Sequence, residues 1–98
     1  METAAEPSLA ATGLELRHRG AHPTRGRVRL TVEVDTPTSL RVDLVDLQGR
    51  VVARVHNGPL AEGAHDLGVA ADLPAGMYVA HAIAEDGRTT RLPVVIVR

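Results

Sequence analysis

Leu44-Val45-Asp46-Leu47-Gln48-Gly49-Arg50-Val51-Val52 reads as a strand, a tight turn and a returning strand. Asp at the first turn position can take turn N–H groups on its carboxylate. Gly at the fourth tolerates positive φ, and together they suit a type I turn. Side-chain parity then selects the loop length. A four-residue loop, Leu47 to Arg50, sets Asp46 against Val51, Leu44 against Ala53 and Val42 against Val55, with Val45–Val52 and Asp43–Arg54 on the other face. A three-residue loop sets Val42 against Arg54 and Arg41 against Val55. A one-residue slip turns every side chain to the opposite face, so the four-residue loop is expected, with Asp46, Gly49 and Arg50 as turn-makers.

The remaining chain divides into similar short strands. Met1 to Thr12 is Ala, Glu, Pro and Ser with little to bury, and reads as a flexible arm or linker ahead of a domain over 13–98. Gly13 to Arg17 alternates briefly, and His18 to Gly26 is a loop. Arg27 to Val34 alternates cleanly, with Val28, Leu30, Val32 and Val34 on one face and Arg27, Arg29, Thr31 and Glu33 on the other. Ser39 to Asp46 and Val51 to His56 form the arms of the first hairpin, and Asn57-Gly58-Pro59 breaks the chain. After Gly63, His65, Leu67 and Val69 share one side of a strand. Leu73-Pro74-Ala75-Gly76 reverses the chain again.

Asp86-Gly87 is a two-residue hairpin signal. It sets Met77 against Ile96, Val79 against Val94, His81 against Leu92 and Ile83 against Thr90 on an apolar face. Tyr78–Val95, Ala80–Pro93 and Ala82–Arg91 fall on the other. Pro93 cannot donate to a ladder, so its strand is an edge or carries a bulge. No stretch shows helical periodicity. About seven short strands with regular turns point to an all-β fold, an immunoglobulin-like antiparallel β-sandwich. Tyr78, just after the Pro74–Gly76 corner, is placed where such folds bond a tyrosine hydroxyl to backbone.

Composition narrows the function. The 98 residues suit one small domain, and a single Tyr with no Phe or Trp leaves an aliphatic core. A net charge of −1 lacks the basic excess of nucleic-acid binders. There is no cysteine, and no apolar run approaches the ~20 residues of a membrane span. His18, His22, His56, His65 and His81 are scattered over different elements without metal-ligand spacing, and His81 reads as a hydrogen-bonded core histidine. Asp43 is expected to pair with Arg54, Asp46 to cap its turn and Asp86 to serve a turn's backbone. Ser8 and Ser39 lie in no nucleophile elbow. No catalytic, cofactor or metal residue is expected, and the chain reads as non-enzymatic.

Four stretches in order resemble the type A C-terminal sorting domains of bacterial type IX secretion, and the related immunoglobulin-like domain of the flagellar hook-capping protein. They are Val42–Val52 with its Asp46-x-x-Gly49-Arg50 turn, Leu60–His65 with Gly63-x-His65, Leu73–Val79 with Gly76-x-Tyr78, and the apolar tail Leu92–Arg98. The family's opening aromatic-Pro-Asn-Pro motif appears as His22-Pro23-Thr24-Arg25, with only the first proline kept. The resemblance implies a non-catalytic address tag, carried on an exported protein to the cell surface through the periplasm and recognised by secretion machinery. The first residues lack the basic and apolar regions of a signal peptide, so export implies a signal on a longer precursor. The last strand is apolar on both faces. Val94, Val95, Ile96, Val97 and Arg98 are therefore expected to form a docking edge for those machinery proteins or for neighbouring domains. The alternative is that Pro93 and Arg98 protect an ordinary edge. A structural or adhesive immunoglobulin-like module of a surface or filament assembly is the other functional expectation. A carbohydrate-binding module is disfavoured by the shortage of aromatic rings.

Overall fold

Strict alternation makes β2 (Arg27–Val34) the simplest strand: Val28, Leu30, Val32 and Val34 are buried, and Arg27 and Arg29 face solvent. The computed structural model describes residues 13–20, 22–25, 27–70 and 73–97, so the expected arm over 1–12 lies outside it. The other strands are β1 (Leu14–His18), β3 (Thr38–Asp46), β4 (Val51–Leu60), β5 (Gly63–Ala70), β6 (Gly76–Ala84) and β7 (Thr89–Ile96). They form two antiparallel sheets, β1-β2-β5 and β4-β3-β6-β7. This is a β-sandwich of immunoglobulin-like type. Its fourth strand lies beside β3, not β5, in the place variable-type domains give to an added strand.

Leucines and valines of β1, β2 and β3 supply most of the core: Leu14, Leu16, Val28, Leu30, Val32, Val34, Leu40, Val42 and Leu44 are all buried. Beside Leu40 and Leu44 in the same sheet, β6 contributes Ala80, Ala82 and Ala84, and β7 adds Val94 and Ile96. The small side chains of β6 leave room for Leu14, Leu16 and Leu30 of the other sheet in an interior without Phe or Trp.

Both hairpins of the four-stranded sheet depart from the expected loops. At β3–β4 the Asp46 N–H donates to the Arg50 carbonyl (2.9 Å) and the Gly49 N–H to the Asp46 carbonyl (3.0 Å), with Gly49 at φ +87°. That is a three-residue loop, a type I turn closed by a left-handed glycine. Val45 therefore opposes Val51, not Val52. A bulge then shifts β4 by one residue and restores Leu44–Ala53 and Asp43–Arg54, and a second one places Val42 opposite His56 instead of Val55. β4 also runs on through Asn57-Gly58-Pro59 to Leu60. An edge strand tolerates the proline and glycine that would break a central one.

At β6–β7 the Ala84 N–H donates to the Arg88 carbonyl (2.8 Å) and the Gly87 N–H to the Ala84 carbonyl (3.0 Å), with Gly87 at φ +97°. This loop is again three residues long, not two, and no bulge follows within the pairing. Tyr78 opposes Val94, Ala80 opposes Leu92 and Ala82 opposes Thr90. The expected inward face, Met77, Val79, His81 and Ile83, is the outward one. His81 is consequently not a core histidine. It is half-buried between Asp43 and Arg91 on the outer face.

Candidate functional site

The residues singled out from the sequence fall into three places. The first is the pair of turns. Asp46 Oδ1 accepts the N–H groups of Gln48 and Arg50 (both 2.9 Å), and Oδ2 accepts the Arg50 Nε (3.0 Å). These bonds, the Arg50 N–H foremost, hold the Asp46 carboxyl below the ordinary aspartate range. Asp86 takes the Arg88 N–H (3.1 Å) and guanidinium (2.9 Å) and is lowered in the same way. Arg88 also reaches Asp35 (3.0 Å), tying the second turn to the β2–β3 connection. Gly63 and Gly76 open β5 and β6, both at positive φ. The Tyr78 hydroxyl donates to the Pro74 carbonyl across the corner (2.6 Å). All of these positions shape backbone.

The second place is the β7 edge, and here the expectation of a docking strand needs correction. Val94 and Ile96 point into the core, 1% and 2% exposed. Along the outer edge, the Val95 carbonyl accepts the Thr24 N–H (3.0 Å) and the Val97 N–H donates to the Thr24 carbonyl (2.8 Å). The Val95 N–H donates to His22 Nε2 (2.9 Å). The β1–β2 loop, with a cis His22–Pro23 bond, thus occupies the groups that strand addition needs. Pro93 shares the parity of Val95 and Val97, so its missing donor falls on the side away from β6 and no ladder bond is lost. Arg98 lies outside the described residues.

His18 and His22 stack beside this edge, ring centroids 3.6 Å apart. Burial, with the neighbouring His22, pushes the His18 imidazole below its ordinary pKa, against a smaller opposing effect of the Pro93 carbonyl. His56 and His65 each bond a nearby carbonyl, of Gly58 (3.1 Å) and Ala61 (2.6 Å). Among the described residues no group of His, Cys, Asp or Glu is arranged to hold a metal ion. Nor does any described helix have the length and apolarity to cross a membrane.

The third place was not expected from the sequence: the outer face of β4-β3-β6-β7. Register aligns Val51, Val45, Val79 and Pro93 in one row across its four strands. Met77 and Val95 lie on one side of that row, and Leu47 projects from the adjoining turn. On the other side runs a row of Arg54, Asp43, His81 and Arg91, with Arg41 and Ile83 beyond. The Asp43 carboxylate is buried, accepting the Arg54 Nε (3.0 Å) and lying 3.2 Å from the Arg41 Nε. Burial lowers the His81 pKa, helped by Arg91 and Arg41 and opposed by Asp43. Between the rows lies an open depression of about 270 Å³, lined by Val45, Asp46, Leu47, Gly49, Val79, His81 and Arg91. Arg54 opposite Asp43 was legible beforehand. The rest of the face follows only once both registers are known.

Comparisons with known proteins add little to this geometry. No family model matches the chain, and no curated protein matches it. Among solved structures it is similar to a Pseudomonas fluorescens alkylpurine DNA glycosylase, AlkC, bound to DNA containing an abasic-site analogue. Identity is 18% and the TM-score 0.44, over 92% of this chain and 32% of that one. This chain thus spans about a third of that protein's length, and a likeness so weak carries no argument about function.

Proposed function

We propose that this domain is a non-catalytic sorting and anchoring module that directs an exported bacterial protein to type IX secretion machinery and the cell surface. The observation that carries the reading is a division of labour. The polar side chains with the most marked positions, Asp46, Tyr78 and Asp86, are engaged with backbone, while a separate apolar face stays exposed. Such a domain offers a surface to be recognised. Fusing residues 13–98 to a periplasmic reporter, in a host with that machinery, tests the reading. The reporter is expected at the cell surface; retention in the periplasm would refute sorting.

A structural or adhesive module in a surface or filament assembly is the second reading. It is favoured by the occupied β7 edge, which is closed to strand addition while the outer face of its sheet stays exposed. That reading expects the isolated domain to form a defined oligomer in sedimentation experiments.

A further inference from the structure

Large apolar side chains on a monomer's surface are ordinary when scattered and informative when gathered. Here Leu47, Val51 and Met77 are 71%, 55% and 53% exposed, and all three belong to one end of the outer face of β4-β3-β6-β7. Val45, Val79 and Val95, each half-buried, join them into one strip. Alongside it stand three guanidinium groups, of Arg41, Arg54 and Arg91, with the Asp43 carboxylate among them; the Asp46 carboxylate that also lines the depression is paired with Arg50 (3.0 Å). Arg41 and Arg54 approach that carboxylate through Nε and leave about half of each side chain exposed. Arg91 is exposed and forms no ion pair among the described residues. The strip is therefore bordered by two positive charges in excess.

We propose that this face docks a segment of a partner protein that presents an aliphatic side chain next to carboxylates. The aliphatic group seats in the depression between Val45, Leu47 and Val79, and a carboxylate meets Arg91 at its rim. Charge selects the occupant. A second copy of this face would bring together two surfaces with the same excess of positive charge, and that opposes such a pair. A lipid surface is usually met through interfacial Trp and Tyr, and the one aromatic here, Tyr78, is buried in the core. Protein interfaces, by contrast, are enriched in Met and Arg. His81, held toward its neutral form, adds no further positive charge to the centre of the face.

This inference stands apart from the sorting reading, because it concerns any partner of the face, whichever chain the domain is joined to. A random peptide library displayed on phage and selected on the immobilised domain tests it, with the enriched peptides then measured by fluorescence anisotropy. Enriched sequences should pair an aliphatic residue with Asp or Glu, and their binding should weaken as salt rises. Arg91→Glu should weaken binding by about tenfold or more. Val79→Glu should abolish it, and Arg29→Glu on the other sheet should leave it unchanged. Amide shift changes on peptide addition should centre on Val45, Val79 and His81. Circular dichroism establishes that the variants remain folded.

The proposal is overturned if no sequence is enriched, if the consensus is basic or uncharged, or if Arg91→Glu binds as well as the parent. It is equally overturned if only phosphatidylserine-containing vesicles bind, or if the face proves to be a self-association surface lost in Val79→Glu. A reporter retained in the periplasm would refute sorting and leave these outcomes untouched.

Discussion

In β3–β4 and β6–β7 alike, the chain reverses through three residues ending in Gly, followed by Arg, with the glycine left-handed. The difference comes one residue later. β4 inserts a bulge directly after the turn, so Leu44–Ala53 and Asp43–Arg54 pair as they would across an even loop. β7 inserts none, and its whole length is displaced by one residue from the even-loop register. The same loop length and left-handed glycine thus lead to opposite outcomes for parity. In the first hairpin two departures cancel as far as Asp43–Arg54, before the second bulge shifts Val42 onward, and in the second a single departure stands. The proposed docking face depends on both.

The sharpest way to break that comparison is to place a charge at adjacent β6 positions. Ala82 is fully buried in the register described, and Ile83 is half-buried on the outer face opposite Arg41. Ala82→Asp should cost about 3–5 kcal/mol in urea denaturation, as expected for an unpaired buried charge. Ile83→Asp should cost only about 1 kcal/mol, reflecting its partial burial. Equal effects would contradict the assigned faces.

Next in size are the turn glycines. Gly49→Val and Gly87→Val add a side chain where φ is positive and no neighbouring atom lies within 4 Å, so the effect is backbone strain, not a clash. Each should destabilise the domain by about 1–2 kcal/mol, and a melting temperature unchanged at either site would refute that site's turn geometry.

Smaller effects distinguish the two turns. Asp46 accepts two backbone N–H groups and Asp86 accepts one from Arg88, so Asp46→Ala should lower the melting temperature more than Asp86→Ala. Both carboxyls are lowered in the folded state, so their contribution is present above about pH 4 and lost as pH falls through their folded-state values. The histidines act in the same direction at higher pH. His18 and His81 are lowered on folding, so the unfolded chain binds protons first, and stability should decline as pH falls through about 6.5. Replacing both by Gln should flatten the melting temperature between pH 7.5 and 5, and an unaltered slope would count against those shifts.

What the sequence made legible was local. Alternation over Arg27–Val34, turn chemistry at Asp46 and Gly49, the Asp43–Arg54 pair and the corner position of Tyr78 each rest on a few neighbouring residues. β4 was harder because its two bulges leave Val51, Arg54 and Asn57 exposed at a spacing of three, which period-two counting cannot follow. The inner face of β6 was misread for a packing reason. Hydrophobicity alone favours Met77, Val79 and Ile83 over alanines, but the leucines of the other strands have already filled the interior. Closure of the β7 edge joins His22 and Thr24 to Val95 and Val97, a non-local contact that no pattern in either segment announces.

The register of β6 against β7 decides the core face, the edge and the proposed docking surface together, and cross-strand NMR contacts report it most directly. The Val95 N–H and carbonyl both point away from β6, so Met77 and Val95 form a non-hydrogen-bonded pair, with Cα atoms about 4.5 Å apart. Strong Hα–Hα contacts are expected for Met77–Val95, Val79–Pro93 and His81–Arg91. Contacts linking Met77 to Ile96 and His81 to Leu92 instead would restore the two-residue loop and contradict the account.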